Sequence, residues 1–544
     1  MVFNSIEFAV FLPIVFPLYW FVCGRGARWQ NLLLLIASYV FYAFWDWRFL
    51  GLIAFTTLTT YASGLLIGKY RIQSASLSLP LKNSGSQAVN PNQEASQLFP
   101  TIPENPIGGG KSQLVSPACG HKDIEAETSS NATRKAKAVS AAAIILNLAV
   151  LAVFKYYNFF ASSLAALIPG LSGDELLLNI ILPVGISFYT LQALSYPIDV
   201  YKGKLEPTKD IIEFAAFVSF FPQLLAGPIG RATNLLPQYE KPRNFEYEQG
   251  VDGLRRMLWG LFKKVVVADN CAVYVDQVWA SYQTQSGSTL LLAAILYSFQ
   301  IYGDFSGYSD MAIGTAKLFG IRLPQNFKYP YFSRDIAEFW RRWHISLTSW
   351  FRDYIYIPLG GSRCAKWKIL RNTLIVFLIS GLWHGANWTF VAWGAYHGIL
   401  LTILVLLGKS KRFKVDNATV ANNRILPSIK ELGQMLLTFG LATVGWIIFR
   451  AGSLNEAIDY ISGMWQWGTL KASYRLFIQV GVRKRTFLIG LMLLGEWYNR
   501  ERDCTLSMRR INKRIVRYVI YVLLALSVIF FDPGTGNQFI YFQF

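Results

Sequence analysis

The chain has 544 residues, of which 53% are hydrophobic and only 15% are charged, and its mean hydropathy is +0.32. Apolar stretches recur along its whole length, and many approach the ~20 residues that a helix needs to cross a bilayer, which excludes a water-soluble multidomain protein. Because these stretches are continuous rather than alternating, the pattern also argues against a membrane β-barrel. The composition therefore predicts an all-α, polytopic transmembrane helical bundle.

The net charge of +20 arises from 52 basic and 32 acidic residues, and its distribution argues against a nucleic-acid partner. Lysines and arginines gather at the ends of apolar stretches, as at Lys69 and Arg71 or at Arg134, Lys135 and Lys137. This pattern is typical of the cytoplasmic ends of membrane helices, which also attract anionic lipid headgroups. The five cysteines form no CxxC pair, so neither a zinc site nor a disulfide framework is predicted.

The N-terminal region, residues 1–71, contains three candidate membrane segments. The first, residues 6–23, includes Glu7 and has neither a basic n-region nor an A-x-A cleavage site. We therefore interpret it as a retained membrane segment and not as a signal peptide. The next two candidates are residues 31–45 and 50–68, so the region is predicted to consist of N-terminal transmembrane helices.

Residues 72–138 differ from the rest of the chain in composition. They hold six prolines, a glycine run at 108–110 and much Ser, Asn and Gln, with few aromatic residues. This composition predicts a disordered loop, and the basic residues at its ends place it in the cytoplasm. His121 lies within this segment and is interpreted as a solvated loop histidine.

Residues 139–544 are predicted to form the membrane core. Prolines such as Pro183 and Pro197 interrupt its apolar stretches. Such breaks persist in a membrane only where the backbone is buried in protein or lines a wet cavity, so we expect a compact bundle that contains a cavity. The longest stretches have room for two helices broken at glycine. The candidate spanning or re-entrant helices of the core are residues 139–168, 178–198, 211–227, 257–280, 288–319, 369–407, 432–449, 486–498 and 515–531.

Two pairs of charged residues lie within apolar sequence of the core. Asp304 and Asp310 fall among aromatic residues in QIYGDFSGYSDM, and acidic residues in such places usually pair with a cation or cap a broken helix. Their spacing is only a weak metal signal, and no metal site is predicted. Lys263 and Lys264 in GLFKKVVVADN have two open interpretations: they snorkel to the cytoplasmic interface, or they bind the phosphates of a nucleotide-bearing donor.

The sequence FWRRWHISLTSWFRDYIYIPLGG at residues 339–361 combines aromatic and basic residues with His344. A single helix over residues 339–354 would be interfacial, with Trp and Tyr at headgroup depth. His344 would point toward the protein, either as a buried histidine hydrogen-bonded to a neighbour or as a functional residue. The residues expected on the apolar face of this helix, at 3- and 4-residue spacing, are Trp340, Trp343, Leu347, Trp350, Phe351 and Tyr354.

His384 is the strongest candidate for chemistry among the four histidines of the chain. It follows an apolar run and is bracketed by Gly381 and Gly385 in GLWHGANW, which would let another backbone or a substrate approach closely. A titratable imidazole in such a setting is typical of a general base. His397 lies 13 residues further on, and on one continuous helix it would face away from His384. We therefore expect a structural or supporting role for His397.

These segments together resemble the membrane-bound O-acyltransferase superfamily, in particular the bacterial branch typified by the membrane subunit of alginate O-acetylation. The resemblance covers nearly the whole chain except residues 72–133, where the loop is longer than the family pattern. Several blocks carry it in order, namely LPVGISFYTLQALSYPIDVY (182–201), FPQLLAGPIGR (221–231), GLFKKVVVADN (260–270), FQIYGDFSGYSDMAIG (299–314), FWRRWHISLTSWFRDYIYIPLGGSR (339–363), GLWHGANWTFVAWGAYHG (381–398), GWIIFRAGSLNEA (445–457) and FIYFQF (539–544).

The resemblance implies a fold and two catalytic residues. The fold would be a ring-like bundle of about eleven spanning helices, with re-entrant and interfacial helices around a thinned centre crossed by a tunnel. His384 matches the invariant histidine of the family and would take the proton from the acceptor hydroxyl. His344 matches the second histidine of the bacterial branch and would orient the acyl group or stabilise developing charge.

The resemblance also implies a substrate class and a location. The acyl donor would be acetyl-CoA on the cytoplasmic side of the inner membrane, and the acceptor a relay protein or polysaccharide on the other side. Two other interpretations stay open on the sequence alone. One is a transporter of a lipid-linked or polymeric substrate with a histidine proton relay, and the other is a structural partner of a secretion complex.

Overall fold

The computed structural model describes residues 1–24, 26–78, 121–168, 176–409, 420–422, 424–466, 482–502, 506, 511, 513–534 and 539–540. Within these ranges the regular structure is helical and includes no β-strand. The all-α fold class predicted from the composition is confirmed.

Eighteen α-helices of seven or more residues form the described part of the bundle. The first five are α1 (Ile6–Pro17), α2 (Ala27–Asp46), α3 (Leu50–Ser78), α4 (His121–Leu151) and α5 (Tyr157–Ala165). The next five are α6 (Ile186–Tyr201), α7 (Ile211–Ser219), α8 (Tyr247–Leu261), α9 (Asp269–Ala280) and α10 (Gly287–Leu318). The last eight are α11 (Ile336–Arg342), α12 (Ile345–Phe351), α13 (Lys366–His384), α14 (Trp388–Leu406), α15 (Ile429–Arg450), α16 (Leu454–Gly463), α17 (Val482–Tyr498) and α18 (Arg514–Phe530).

Several helices run into π-helical turns instead of ending cleanly. Such turns are rare and are frequently found at functional sites. One of them, Ala152–Tyr156, joins α4 to α5, and another, Phe262–Ala268, joins α8 to α9. The first turn carries Lys155, and the second carries Lys263 and Lys264.

The outer surface of the bundle suits a bilayer. Four helical stretches in the described part of the chain are long and apolar enough to cross a membrane, namely Ala27–Ser74, Ser130–Ala165, Trp388–Leu406 and Ile429–Arg450. Helix α18 has no buried residue, and its Ile515 and Phe530 are 77% and 76% exposed. An apolar helix with apolar residues facing outward belongs in lipid. The protein is therefore a multi-pass membrane protein, and the count of about eleven spans stays a prediction.

Some predicted boundaries are wrong in the structure. The segment predicted to be disordered, residues 72–138, is helical at both ends, because α3 continues to Ser78 and α4 begins at His121. The two helices pair side by side, with the hydroxyl oxygens of Ser74 and Thr133 3.2 Å apart, so packing overrides the polar composition. Residues 79–120 lie outside the described residues.

A second boundary differs at the start of α6. The predicted helix 178–198 begins only at Ile186, and the residues from Leu177 to Val184 are not helical. Pro183 and Gly185 account for the late start, because Gly185 adopts the left-handed conformation with φ +79°. The turn that results lies beside His384.

The charged residues of α8–α10 form a buried ion-pair cluster. Lys264 Nζ lies 2.7 Å from Asp304 and 2.8 Å from Asp269. Lys263 and Arg256 both bind Asp310, at 2.6 Å and 2.8 Å. The expectation that Asp304 and Asp310 pair with cations is confirmed. Neither interpretation of the two lysines holds, because their charges are used inside the protein to fix the π-helical turn Phe262–Ala268 against α10.

Candidate active site

The segment 369–407 forms a hairpin of two helices. Helix α13 ends at His384, and Asn387 caps α14 by accepting a hydrogen bond from the Thr389 backbone N–H at 3.0 Å. The prediction that this stretch is broken at glycine is confirmed. The single continuous helix on which His397 would face away from His384 does not exist. Instead, the ring of Trp393 lies between them, 5.0 Å from His384 and 5.1 Å from His397 between ring centroids.

The glycines around His384 make room for another helix of the protein and not for a substrate. A Cβ atom on Gly381 would lie 2.1 Å from the backbone oxygen of Phe390, and one on Gly385 would lie 2.0 Å from the Phe390 ring. Of the two possibilities raised by the sequence, close approach by another part of the chain is the one observed. The glycines bring α14 tightly against α13 and thereby fix the end of the helix that carries His384.

His344 lies at a break in the stretch predicted to be one helix. Helix α11 ends at Arg342, α12 begins at Ile345, and His344 has left-handed backbone angles of φ 44° and ψ 51°. Such angles are uncommon outside glycine and occur disproportionately at functional sites. The prediction of a single helix over residues 339–354 is wrong.

Asn326, from a distant part of the sequence, stabilises this break. Its backbone oxygen accepts a hydrogen bond from the Ile345 N–H at 2.9 Å, and its side-chain oxygen accepts one from the Ser346 hydroxyl at 2.7 Å. These bonds replace those that a continuous helix would make. No local sequence pattern reports them, which explains why periodicity suggested one helix.

The aromatic face of this segment is buried in the protein core and not at headgroup depth. Trp340, Trp343 and Trp350 are each no more than 6% exposed. Trp343 packs against Trp446 with ring centroids 4.7 Å apart, and Trp350 donates a hydrogen bond to the Leu191 backbone oxygen at 3.0 Å. The interfacial location expected for these side chains is therefore wrong, and they pack inside the protein core instead.

The break and the hairpin bring His344 and His384 together. Their ring centroids lie 6.2 Å apart, although the residues are 40 positions apart in the chain, and their exposed fractions are 1% and 3%. At this distance both imidazoles can contact one small reacting group. The rings that pack around the pair are Phe188, Phe305, Phe327, Trp383, Trp393 and Phe449.

A small cavity lies beside His384. It is lined by residues 182–188 at the start of α6, by the end of α13, and by Lys155 from the π-helical turn Ala152–Tyr156. The two histidines thus lie where a helix end, a helix start and a lysine converge. A buried imidazole and a lysine beside a cavity form a setting in which proton transfer and stabilisation of developing charge are possible.

Lys155 is a site residue that the sequence reasoning missed. Its ammonium donates hydrogen bonds to the backbone oxygens of Trp383 at 2.8 Å and His384 at 3.0 Å, and to the Ser187 hydroxyl oxygen at 3.3 Å. A signal was present, because Lys155 is a charge inside the apolar run LAVLAVFKYYNFF and such residues are functional candidates by default. Ser187 had no comparable signal.

His397 is separated from His384 by the ring of Trp393. Its Nδ1 accepts a hydrogen bond from Trp340 Nε1 at 3.3 Å, and a Cβ atom on Gly445 would lie 2.6 Å from its Nε2. His397 thereby connects α11, α14 and α15 behind Trp393. This location suits the supporting role expected for it, which stays a prediction.

The site lies far from the basic ends of the helices that carry it. Helix α13 rises about 27 Å from Lys366 to His384. The basic end of α3 is on the side of the C-terminal end of α6, since Arg71 donates a hydrogen bond to the Val200 backbone oxygen at 2.9 Å. The start of α6, beside the cavity, is about 24 Å from that end. The cavity therefore lies about 24–27 Å, measured along α6 and α13, from these basic helix ends.

The sequence matches one protein-family model and is similar to several known proteins. Residues 207–410, which include His344, His384 and His397, match the model of the membrane-bound O-acyltransferase family. The chain is 37% identical over 507 residues to the probable alginate O-acetylase AlgI of Pseudomonas aeruginosa, covering 92% of this chain and 82% of that protein. It is 34% identical over 563 residues to the probable alginate O-acetylase AlgI of Pseudomonas putida, covering 100% of both. It is also 38% identical over 347 residues to the peptidoglycan O-acetyltransferase of Helicobacter pylori, covering 59% of this chain and 63% of that protein.

Proposed function

This chain belongs to the membrane-bound O-acyltransferase family, and from that premise we propose that it acetylates an extracytoplasmic polysaccharide. The acetyl group would come from acetyl-CoA on the cytoplasmic side of the inner membrane and reach the hydroxyl directly or through a relay protein. The observation that carries this proposal is the buried pair of His344 and His384, with a cavity beside His384.

His384 is the general base of the proposed reaction. An alcohol is a poor nucleophile until a positioned base shares its proton, which contributes roughly 10²–10⁴ in rate. The acceptor oxygen bonds to the carbonyl carbon of the thioester while its proton passes to the His384 imidazole. When the carbon–sulfur bond breaks, the sulfur takes that proton, so the products are an ester and a thiol.

His344 contacts the acyl group from the other side of the pair. Its ring centroid lies 6.2 Å from that of His384 and 4.7 Å from that of Phe305. This places it to orient the acyl carbonyl against the base. The surrounding aromatic rings limit access of water, and hydrolysis of the thioester is thereby suppressed.

The polarity of the bundle supports transfer across the membrane. Basic helix ends face the cytoplasm by the positive-inside rule, which places Lys366 and Arg71 there. The cavity beside His384 then lies toward the opposite face, where a secreted glycan is available. The acetyl group must therefore pass from the cytoplasmic face toward this cavity.

The acceptor class is proposed from the relatives. Alginate and peptidoglycan appear in their names, and in both names the reaction is acetylation. We therefore propose a glycan hydroxyl as the final acceptor. A proton-coupled transporter is the alternative function that a buried histidine pair would also permit.

One experiment tests the enzyme against the transporter. Cells that produce the H384A protein, with membrane insertion and abundance confirmed, are assayed separately for ester-linked acetate on exported glycan and for total exported glycan. Loss of acetate with normal glycan supports the enzyme, and loss of the glycan itself supports the transporter. The H121A protein is the histidine control, because His121 starts α4 on the side of the basic helix ends. Acetate at the wild-type level in H384A cells would falsify the proposed role of His384.

A further inference from the structure

Lys155 holds the end of α13 by its charge. Helix C-terminal carbonyls carry partial negative charge, which a cation stabilises, and the Lys155 ammonium donates to the last two, those of Trp383 and His384. Tyr156 reinforces the contact, since its hydroxyl donates to the Leu382 backbone oxygen at 2.9 Å. The π-helical turn Ala152–Tyr156 therefore fixes the helix end that carries the base.

The third hydrogen bond of Lys155 is not explained by capping. An ammonium has three donors, and the remaining one goes to the Ser187 hydroxyl oxygen at 3.3 Å. Ser187 is 7% exposed and lines the cavity together with His384. A hydroxyl that accepts from a cation becomes a stronger donor of its own proton, because hydrogen bonds in a chain polarise one another.

The start of α6 adds positive potential at the same place. Ser187 is the second residue of this 16-residue helix, and helix N-termini carry partial positive charge. The turn before it is fixed in position, because a Cβ atom on Gly185 would lie 2.2 Å from the Leu224 backbone oxygen. A helix N-terminus, a polarised hydroxyl and an ammonium thus converge on one cavity beside a buried histidine.

We propose that Ser187 and Lys155 form an oxyanion-stabilising element for the acyl transfer. Ser187 is a catalytic residue that donates its O–H to the carbonyl oxygen, and Lys155 is the positioning residue that polarises Ser187. The inference rests on the proposed function and adds two residues to its site. Preorganised donors aimed at developing charge are a large source of rate enhancement in acyl transfer.

The proposed acyl transfer forms one bond and breaks another at the carbonyl carbon. The acceptor oxygen forms a bond to the carbonyl carbon, the carbonyl electron pair moves onto the carbonyl oxygen, and the hydroxyl proton moves to His384. The resulting oxyanion accepts a hydrogen bond from Ser187. The electron pair then returns, the carbon–sulfur bond breaks, and the sulfur takes the proton from His384.

The first test removes only the hydroxyl. In membranes supplied with radiolabelled acetyl-CoA, S187A is expected to lower the maximal rate of acetyl transfer about 10²-fold. Because the oxyanion exists only after attack, the half-saturating acetyl-CoA concentration should change less than about 3-fold. S187T keeps a hydroxyl and should recover at least about a tenth of the wild-type rate. S162A is the control, since the Ser162 hydroxyl of α5 donates to the nearby Phe159 backbone oxygen at 3.1 Å, and this variant should keep the wild-type rate.

The second test asks whether the two residues act as one unit. K155M should lower the maximal rate at least as much as S187A, while K155R, which keeps the charge, should lose less. The K155M/S187A double variant should fall no more than about 3-fold below the slower single variant, because residues that act together are non-additive. If the loss of maximal rate in the double variant equals the product of the two single-variant losses, the oxyanion-stabilising element of Ser187 and Lys155 is overturned. A loss in S187A that tracks lower thermal stability, and that S187T does not rescue, overturns it as well.

H384A in the same assay tests the role of His384 separately from the oxyanion-stabilising element. An inactive H384A with an unimpaired S187A overturns the oxyanion element alone. H384A at the wild-type rate overturns the proposed role of His384, whereas wild-type membranes that transfer no acetyl group overturn the proposed function and the oxyanion element with it.

Discussion

Two of the polar regions inside the described part of the protein use charge differently. In the ion-pair cluster of α8–α10, Lys264 meets Asp304 and Asp269, so cations and carboxylates neutralise one another within the core. At the candidate active site, the Lys155 ammonium instead donates to backbone oxygens and a hydroxyl and lies 5.9 Å from the Trp383 ring centroid, beside His384 and a cavity. The first region is arranged to hold helices together, and the second to meet a reacting group.

Replacing His384, the proposed general base, should give the largest loss of activity while the protein stays folded. H384A is expected to lower acetyl transfer by about 10²–10⁴-fold, the contribution of a positioned general base. Thermal stability in detergent, measured by tryptophan fluorescence, should stay close to that of the wild-type protein because α13 is held by Lys155 and by α14. Unfolding of H384A at a much lower temperature would assign His384 to the structure.

Breaking the ion-pair cluster should give the opposite pattern. K264M leaves Asp304 and Asp269 buried near each other without their shared cation, and removing one partner of a buried pair typically costs about 3–5 kcal/mol. We expect a lower melting temperature and reduced abundance, with the activity per folded molecule retained. K204M, on an exposed lysine, is the control. A K264M protein that melts like wild type would show that the cluster does not stabilise the fold.

Forcing α13 and α14 apart should affect both stability and activity. G381A places a methyl group 2.1 Å from the Phe390 backbone oxygen, and overpacking of this kind costs typically about 1–3 kcal/mol. G440A is the matched control, because a Cβ atom there has nothing within 4 Å; on the exposed side of α15 it should stabilise slightly. Equal melting temperatures of the two variants would contradict the close approach at Gly381.

Replacing His344 should give the smallest of these effects. H344N keeps the fold, since Asn tolerates the left-handed conformation found at this position. We expect the maximal acetylation rate to fall about 10-fold, the effect of losing about 1.4 kcal/mol of transition-state stabilisation. The measurement is the initial rate in membranes, with melting temperature in parallel. Acetylation by H344N at the wild-type rate would remove His344 from the mechanism.

The elements that sequence predicted well are those governed by local hydrophobicity. Helix α10 (Gly287–Leu318) lies almost where residues 288–319 were predicted, because a long apolar run has no alternative to helix in lipid. The break at Gly385 was also predictable from residue type. The left-handed angles of His344 were not, because they depend on hydrogen bonds that Asn326 accepts from Ile345 and Ser346.

Sequence by itself determined the membrane class, the family blocks and the two histidines worth testing, since hydropathy, motif and residue type can be read locally. Tertiary structure decided which charges are neutralised and which face a cavity. Lys263, Lys264 and Lys155 are all lysines within apolar sequence, yet the first two end in ion pairs and the third at the end of α13. Apart from Asp269, their partners come from distant parts of the chain, and hydrogen bonds and ion pairs act only over a few ångströms in space.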